Sequence, residues 1–341
     1  MKMINLYLLL LSFLLSTCQS QRTTLNSSTN TTRIAFYNVE NLFDTVDDPK
    51  HADEDFTPEG RQQWTTKRYN KKLDQIGKVI EVMAFPDLMG LCEIENRKVL
   101  TDLTKINRLS DQKYEIVHFD SPDYRGIDVA LIYDSKQFKV KDVEPISVDI
   151  PESIEPNYTT RDILLVYGIY KKKYPLHIFV NHWPSRRGGL AASEPKRLFA
   201  AEQLRKAANR VITDDKDANI IIMGDMNDET DNKSITEVLN VSKLADSPQP
   251  QELYNCFSDI DAQQRGSYNY RGNWNMLDQI IVSGNLLDDD GLKISQPTVF
   301  RQDWMTFKHD RFGETPNRTY GGPNYYGGIS DHFPVYVDLS W

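Results

Sequence analysis

Apolar positions along this chain recur in helical and strand-like spacings, and those spacings lay out its elements. Tyr69, Leu73, Ile76, Ile80 and Met83 fall at alternating steps of four and three, the one-sided stripe of an amphipathic helix that Pro86-Asp87 stops. Val99, Leu100, Leu103 and Ile106 give a second helix. Leu198, Ala201, Leu204, Ala208 and Val211 mark one face of a third, over 194–213. Between and after these lie short runs rich in branched and aromatic residues: RIAFY from Arg33, LMGLC from Leu88, YEIVHF from Tyr114, IDVALIY from Ile127, ILLVYGIY from Ile163 and LHIFVNHW from Leu176. IIIMG from Ile220, LDQIIVS from Leu277 and HFPVYVDL from His332 complete the strands. Strands outnumber helices, and hairpin-like neighbours mix with helical crossovers. The pattern predicts a mixed α/β or α+β layered sandwich rather than an all-parallel doubly wound sheet. No Gly-rich dinucleotide loop or P-loop stands where a strand meets a helix.

The apolar runs end alike. RIAFY ends at Asn38, LMGLC at Glu93, IFV at Asn181-His182, and IIIMG at Asp225 and Asn227; Asp278 interrupts MLDQIIV, and Ser330-Asp331-His332 opens FPVYV. Each has a plain structural reading: a strand-ending Asn38, a core His182, a turn-capping or lysine-paired Asp278, a strand turn at Asp331 and His332. Asp225 to Asp228, taken alone, reads as a turn after a buried strand. Glu93 is different, because a carboxylate after a wholly apolar run needs a metal or an arginine if it is buried. Asp225 and Asn227 lie two apart, so in extended backbone they point the same way, with Met226 inward and Asp228 as a turn or helix-cap residue. Six such ends together favour one polar rim. Carboxylates there suit a hard cation, and histidine and asparagine suit a phosphate ester.

Charge narrows this picture. A net charge of -9 over 341 residues argues against a protein held to nucleic acid by a general positive field, though not against an enzyme that meets a phosphodiester locally. The chain is long enough for one large domain. Lys2, the apolar stretch Leu6–Leu15 and Leu15-Ser16-Thr17-Cys18 read as a secretory leader with a lipoprotein box over residues 1–18. The Ser/Thr/Asn-rich stretch 19–32 reads as a flexible tether. The expectation is an exported protein, either a bacterial cell-envelope lipoprotein anchored through Cys18 or a plainly secreted one. Its membrane contact would be the lipid anchor alone. Cys92, inside an apolar strand, reads as a small buried hydrophobe.

The order of the motifs resembles the endonuclease/exonuclease/phosphatase superfamily. Asn38 at the end of the first strand, Leu91-Cys92-Glu93, Gly224-Asp225-Met226-Asn227, Asp278 in a late strand and Ser330-Asp331-His332 carry the resemblance, which runs from Arg33 to Trp341. It implies a single domain over 33–341: a four-layer sandwich, two mixed β-sheets flanked by helices, with the site at one rim. It implies Glu93 as principal metal ligand with Asn38 and Asp331 nearby, and Mg²⁺ as the metal, with Mn²⁺ or Ca²⁺ as alternatives. By the same resemblance Asp225 orients or deprotonates the attacking water and Asn227 holds it. Asp278 fixes the tautomer of His332. His182 matches the second histidine of the deoxyribonuclease I-like branch, which contacts the phosphate or assists the leaving oxygen.

Three further features carry open alternatives. Arg186 and Arg187, before Gly188-Gly189, read as a phosphate clamp or as a solvated turn. Asp128 reads as orienting His182, or as a buried partner of Arg125 or Arg161. Tyr320, Tyr325 and Tyr326 read as a base-stacking surface or as loop packing. The expected function is a metal-dependent phosphodiester hydrolase, an endonuclease acting on DNA or RNA by in-line attack of water. A phosphatase or a phospholipid or sphingolipid phosphodiesterase of the same superfamily is the alternative, and a non-catalytic binding lipoprotein is the remote one. Nucleic acid is the expected substrate partner, and no obligate protein partner is implied.

Overall fold

The computed structural model describes residues 31–244, 247–260, 262–288, 291–295 and 297–341. The leader, the Cys18 lipid box and most of the tether fall outside the described residues. Thr31 and Thr32, expected at the tether's end, already pair with Ser340 and Leu339.

The first half of the chain supplies β1 (Thr31–Leu42), β2 (Leu88–Ile94), β3 (Tyr114–His118) and β4 (Asp128–Asp134). Helices α1 (Thr66–Val82) and α2 (Arg97–Lys105) lie between them in sequence. A second sheet takes β5 (Phe138–Ile146), β6 (Ile163–Tyr170), β7 (Tyr174–His182), β8 (Ile220–Asp225), β9 (Val241–Lys243) and β10 (Leu253–Asn255). The long α3 (Leu190–Asp214) crosses between β7 and β8, and the short α4 (Ala262–Arg265) follows β10. After the hairpin β11 (Tyr268–Tyr270) and β12 (Asn273–Asn275), β13 (Asp278–Ser283) rejoins the second sheet. The chain then returns to the first with β14 (Lys293–Ile294) and β15 (Thr298–Val299), makes the hairpins β16 (Thr306–His309)–β17 (Gly313–Pro316) and β18 (Tyr320–Gly321)–β19 (Asn324–Tyr325), and ends in β20 (Val335–Ser340).

The first sheet runs β14-β20-β1-β2-β4-β3, with β15 also on β20; the second runs β5-β6-β7-β8-β13-β10-β9. Both are mixed, with β1–β2 and β7–β8 parallel among antiparallel neighbours. Alternation along each strand explains the layering. Ile34 and Phe36 of β1 meet Val166, Ile178, Met223 and Ile280 in a core between the sheets. Ala35 and Tyr37 face the other way, against Leu73, Ile76 and Ile80 of α1 and Leu100 and Leu103 of α2. Phe179, Ile220 and Ile222 pack on Ala201, Leu204 and Ala208 of α3. Three cores between four layers result, and because both faces of these strands are covered, their sequences read as continuous apolar runs. The sheets approach closely at Gly90, where a Cβ would stand 2.6 Å from Met223 Sδ.

Two expectations shift. The edge strand β5 was not foreseen, since Lys139, Lys141, Asp142, Glu144 and Pro145 give it the charged, proline-bearing face that protects sheet edges. In α3, Leu198 is only half-buried, while its neighbour Arg197 is wholly enclosed on Asp228, Nε to Oδ1 2.7 Å. Cys92 and Cys256 are both buried and unpaired. Among the described residues no helix is long and apolar enough to cross a membrane.

Candidate active site at the rim of the two sheets

Three adjacent strands of the second sheet set half of the site in register. His182 of β7 pairs with Asp225 of β8, and Asp225 pairs with Asp278 of β13. Side chains at paired positions share a face of the sheet, so the sequence brings these three to one place by pairing alone. The first sheet supplies the rest through two irregularities at one level. Pairing of β1 with β2 shifts between Asn38 and Leu42, and pairing of β2 with β4 shifts between Cys92 and Ile94. Glu40, Asn41 and Glu93 take positive φ values of 51°, 53° and 61° there. Such bulges re-aim side chains, and left-handed non-glycine residues cluster where the surroundings over-determine them.

The hub is Asp225, which is buried. Its Oδ2 accepts a hydrogen bond from Asn38 Nδ2 at 3.0 Å and lies 3.7 Å from Nε2 of His182 and 3.7 Å from Nε2 of His332. Its Oδ1 accepts from the Asn227 N–H at 2.9 Å. His332 Nδ1 lies 2.7 Å from Asp278 Oδ2, and the ring packs on Tyr268 with centroids 4.7 Å apart. Ser330 Oγ donates to Asn38 O at 2.6 Å and accepts from His332 N at 3.1 Å, which ties the last motif to the first.

The two histidines are tuned in opposite directions. Burial lowers the His182 imidazole well below its ordinary value, and the charges of Arg161, Arg125 and His332 press the same way. Burial opposes charge on His332 too, but Asp278 and Asp225, with the hydrogen bond to Asp278, overcome it and raise that histidine well above its ordinary value. For Asp225, burial raises the carboxyl, partly offset by His332 and by the donors on Asn227 and Asn38. His182 is thus biased towards its neutral form and His332 towards its charged one, and a carboxylate of raised basicity lies beside both.

Glu93 accepts from Asn41 N at 2.8 Å and from Asn38 Nδ2 at 3.4 Å, and forms no ion pair with any described residue. Asn38 thus bridges two carboxylates through its amide nitrogen, while its oxygen accepts from Glu40 N at 3.0 Å. Asp331 lies on Arg318 at 3.0 Å, and the same arginine reaches Glu40 at 3.6 Å. Asp225, Asp278 and His332 offer ligand atoms within 4.8 Å of one another, and Glu93 and Asp331 stand outside that trio. The donor set fits a hard divalent cation. Its carboxylates lack a full complement of cationic partners, and Asp278 Oδ1 and His182 Nδ1 are buried without a hydrogen-bond partner.

Some expectations change. Asn227 does not reach Asp225 by strand alternation: β8 ends at Asp225, and Asn227 takes φ 51°, with Nδ2 donating to Trp183 O at 3.0 Å. Asp228 is an ion-pair partner of Arg197 that also accepts from Ser234 Oγ at 2.6 Å. Arg186 is turned inward, donating to Asn227 O at 2.6 Å and Asn232 Oδ1 at 3.2 Å, and so braces the Asn227 turn; Arg187 is exposed. Asp128 does not orient His182. Its carboxylate binds His118 Nε2 at 2.9 Å and Ser121 N at 2.7 Å, because β4 pairs with β3 and not with β7. Arg161 instead holds the carbonyl oxygens of His182, at 3.1 Å, and Trp183, at 2.5 Å, and both Arg161 and Arg125 pair with Asp123.

Sequence reasoning passed over Glu40, Lys72, Tyr268 and Arg318. Glu40 is buried, with Thr319 and Tyr320 N–H groups on its carboxylate and Lys72 Nζ on its carbonyl. Its spacing of two from Asn38 was the available signal. Lys72 lies on the buried side of α1, which the sequence showed only as a charge in a basic run.

A two-sheet sandwich whose rim gathers carboxylates, amides and two oppositely tuned histidines defines a class of phosphoric ester hydrolases. The chain belongs to the endonuclease/exonuclease/phosphatase family, whose model matches residues 33–341. Among curated proteins, none matches the sequence. Solved structures share the fold at low identity. A Bacteroides thetaiotaomicron mannosyl-6-phosphatase is 17% identical with a TM-score of 0.56, over 91% of this chain and 100% of that one. A humanized D. rerio TDP2 is 14% identical with a TM-score of 0.56, over 91% and 98%. The human Nocturnin catalytic domain with bound sulfate is 16% identical with a TM-score of 0.54, over 91% and 94%.

Proposed function

We propose that this protein hydrolyses phosphodiesters, with a nucleic-acid strand as substrate, by in-line attack of water. The observation that carries the reading is the in-register row His182, Asp225 and Asp278, closed from the other sheet by His332. Asp225 Oδ2 takes the proton of the attacking water, and Asn38 and the Asn227 N–H fix the carboxylate that receives it. As the new P–O bond forms and the opposite one breaks, cationic His332 offsets charge on the phosphoryl oxygens and gives a proton to the leaving oxygen. Neutral His182 hydrogen-bonds a phosphoryl oxygen. Glu93, with Asp331, would hold a divalent metal, Mg²⁺ by the hardness of the carboxylate oxygens, and when bound it would offset phosphate charge. Asn38, expected as a further ligand, turns its Nδ2 to Glu93 and its Oδ1 to Glu40 N and so braces the Glu93 carboxylate instead. Preorganisation of this kind is the usual source of rate in phosphoryl transfer.

A second reading is a phosphatase of small phosphate esters. The net charge of -9 favours it, since a long nucleic-acid strand gains little from an acidic surface, and one structural neighbour is a sugar-phosphate phosphatase. A panel of Mg²⁺, Mn²⁺ and Ca²⁺ against plasmid DNA, RNA, a lipid diester and phosphomonoesters, on wild type and Asp225→Ala, separates the two. Turnover of monoesters alone would overturn the nuclease reading. We further propose export, with the lipid anchor on Cys18; Cys18→Ser moving the protein from the membrane to the soluble fraction is the check.

A further inference from the structure

We propose that a cavity beside the catalytic rim binds the heterocyclic base of a nucleotide whose phosphate is turned towards Arg318. The proposal rests on the phosphoric ester reading of the rim and names what the substrate carries. The cavity, of about 230 Å³, is lined by Phe307, Lys308, His309 and Asp310 of the β16–β17 hairpin together with Arg318 and Tyr326. Phe307 is 54% exposed and Tyr326 is 61% exposed, although aromatic rings of this size ordinarily bury. His309 is already stacked on Phe312, centroids 4.6 Å apart, so the rings with open surface at the cavity are Phe307 and Tyr326.

Tyr326 is also seated. A Cβ on Gly321 would lie 2.4 Å from its Cε2 and 2.8 Å from its Oη, so the ring rests against bare backbone on that side. The Tyr326 N–H donates to Thr319 O at 2.9 Å, which fixes the turn that presents it. A supported ring with an open surface is a stacking platform. Arg318 joins this platform to the chemistry, because its guanidinium binds Asp331 at 3.0 Å and reaches Glu40 at 3.6 Å. On the far side of the same turn Tyr325 carries Arg68 over its ring at 4.1 Å and Lys71 at 5.8 Å, and with Lys67 these line a second cavity. Aromatic surface and cations therefore occur together in both cavities of an otherwise acidic protein, the combination that accepts bases and phosphates of a single strand.

The test compares two probes on Asp225→Asn protein, which binds without turnover: adenosine 5′-monophosphate and ribose 5-phosphate, titrated calorimetrically. The expected result is at least about tenfold tighter binding of the nucleotide, in line with one base stacked on an aromatic ring. Phe307→Ala and Tyr326→Ala, each first shown to keep the wild-type Tm, should each reduce that preference to about threefold or less. Equal affinity for the two probes, tighter binding of the sugar phosphate, or a preference that survives the double variant overturns the proposal. Cleavage of a dinucleotide by wild type is scored separately. A base preference without cleavage leaves the pocket standing and removes the nuclease reading; cleavage without a base preference does the reverse.

Discussion

His332 Nδ1 lies 2.7 Å from Asp278 Oδ2, and this contact joins the two sheets at the site, since Asp278 begins β13 of the second sheet and His332 leads into β20 of the first. The carboxylate fixes the ring so that Nε2 faces Asp225 and holds the proton on the imidazole. Asp278→Asn keeps the volume and removes the charge. We expect kcat to fall by about 10² to 10⁴, the worth of one positioned proton carrier. In the same variant the His332 ring resonances should titrate at lower pH than in wild type. A full rate, or an unmoved titration, would show that His332 is not the proton donor to the leaving oxygen.

Glu93 sits at φ 61° with no ion-pair partner among the described residues, so a bound cation is what its carboxylate lacks. Chelation should stop turnover, and added Mg²⁺ should restore it. Binding confined to the folded state raises stability, by about 2.7 kcal/mol at a hundredfold excess over the dissociation constant. We therefore expect Mg²⁺ to raise the Tm of wild type and to leave that of Glu93→Ala nearly unchanged. Equal shifts in the two proteins would place the metal elsewhere.

Much of this was legible in the sequence because two-sided burial leaves a strong mark. IIIMG and the Ile280–Val282 run of LDQIIVS are apolar on both faces, so the polar residues that end or open each run stand out, and pairing then sets Asp225 and Asp278 side by side. Less legible were contacts that depend on which strands pair. Asp128 follows the same grammar as Asp225, yet β4 neighbours β3, and its carboxylate meets His118 rather than His182. The left-handed turn at Asn227 also defeats a reading that extends strand alternation past the strand's end. Lys72 and Arg197 were hidden by the habit of assigning charge to the surface; both are almost wholly buried on partners far away in sequence.

Lys72 links α1 to the loops that carry the site. Its Nζ donates to the Glu40 carbonyl, to Thr319 Oγ1 at 2.6 Å and to Ile329 O at 3.1 Å. Burial lowers the amine to about 8, against the raising charges of Glu40, Glu93 and Asp331. Replacing it by methionine fills much of the space but takes the ammonium donor from three buried oxygens and leaves Glu40 with Arg318 as its remaining cation, at 3.6 Å. A buried oxygen left without its donor costs about 1–3 kcal/mol. Lys72→Met should lower stability by that order in denaturant melts. A change under about 0.5 kcal/mol, the range of ordinary surface substitutions, would mean that the buried amine holds nothing together.

Asp162, on the loop before β6, gives stability a pH dependence away from the reacting groups. Burial raises its carboxyl from 3.8 to about 6; a Val148 N–H bond works against this, and the charges of Asp149 and Asp128 add to it. Its Oδ1 is buried without a partner. The folded value lies above the unfolded one, so the native state holds this proton more tightly. That contribution is complete below about 3.8 and is lost as pH rises through about 6. Above that pH the wild type keeps a poorly solvated carboxylate, whereas Asp162→Asn stays neutral. The group is partly open to water, so only the direction is expected: the variant should match wild type in Tm near about pH 4 and exceed it near about pH 8. Melts across that range decide it. A Tm difference that does not grow with pH would mean that Asp162 ionises without penalty in the folded protein.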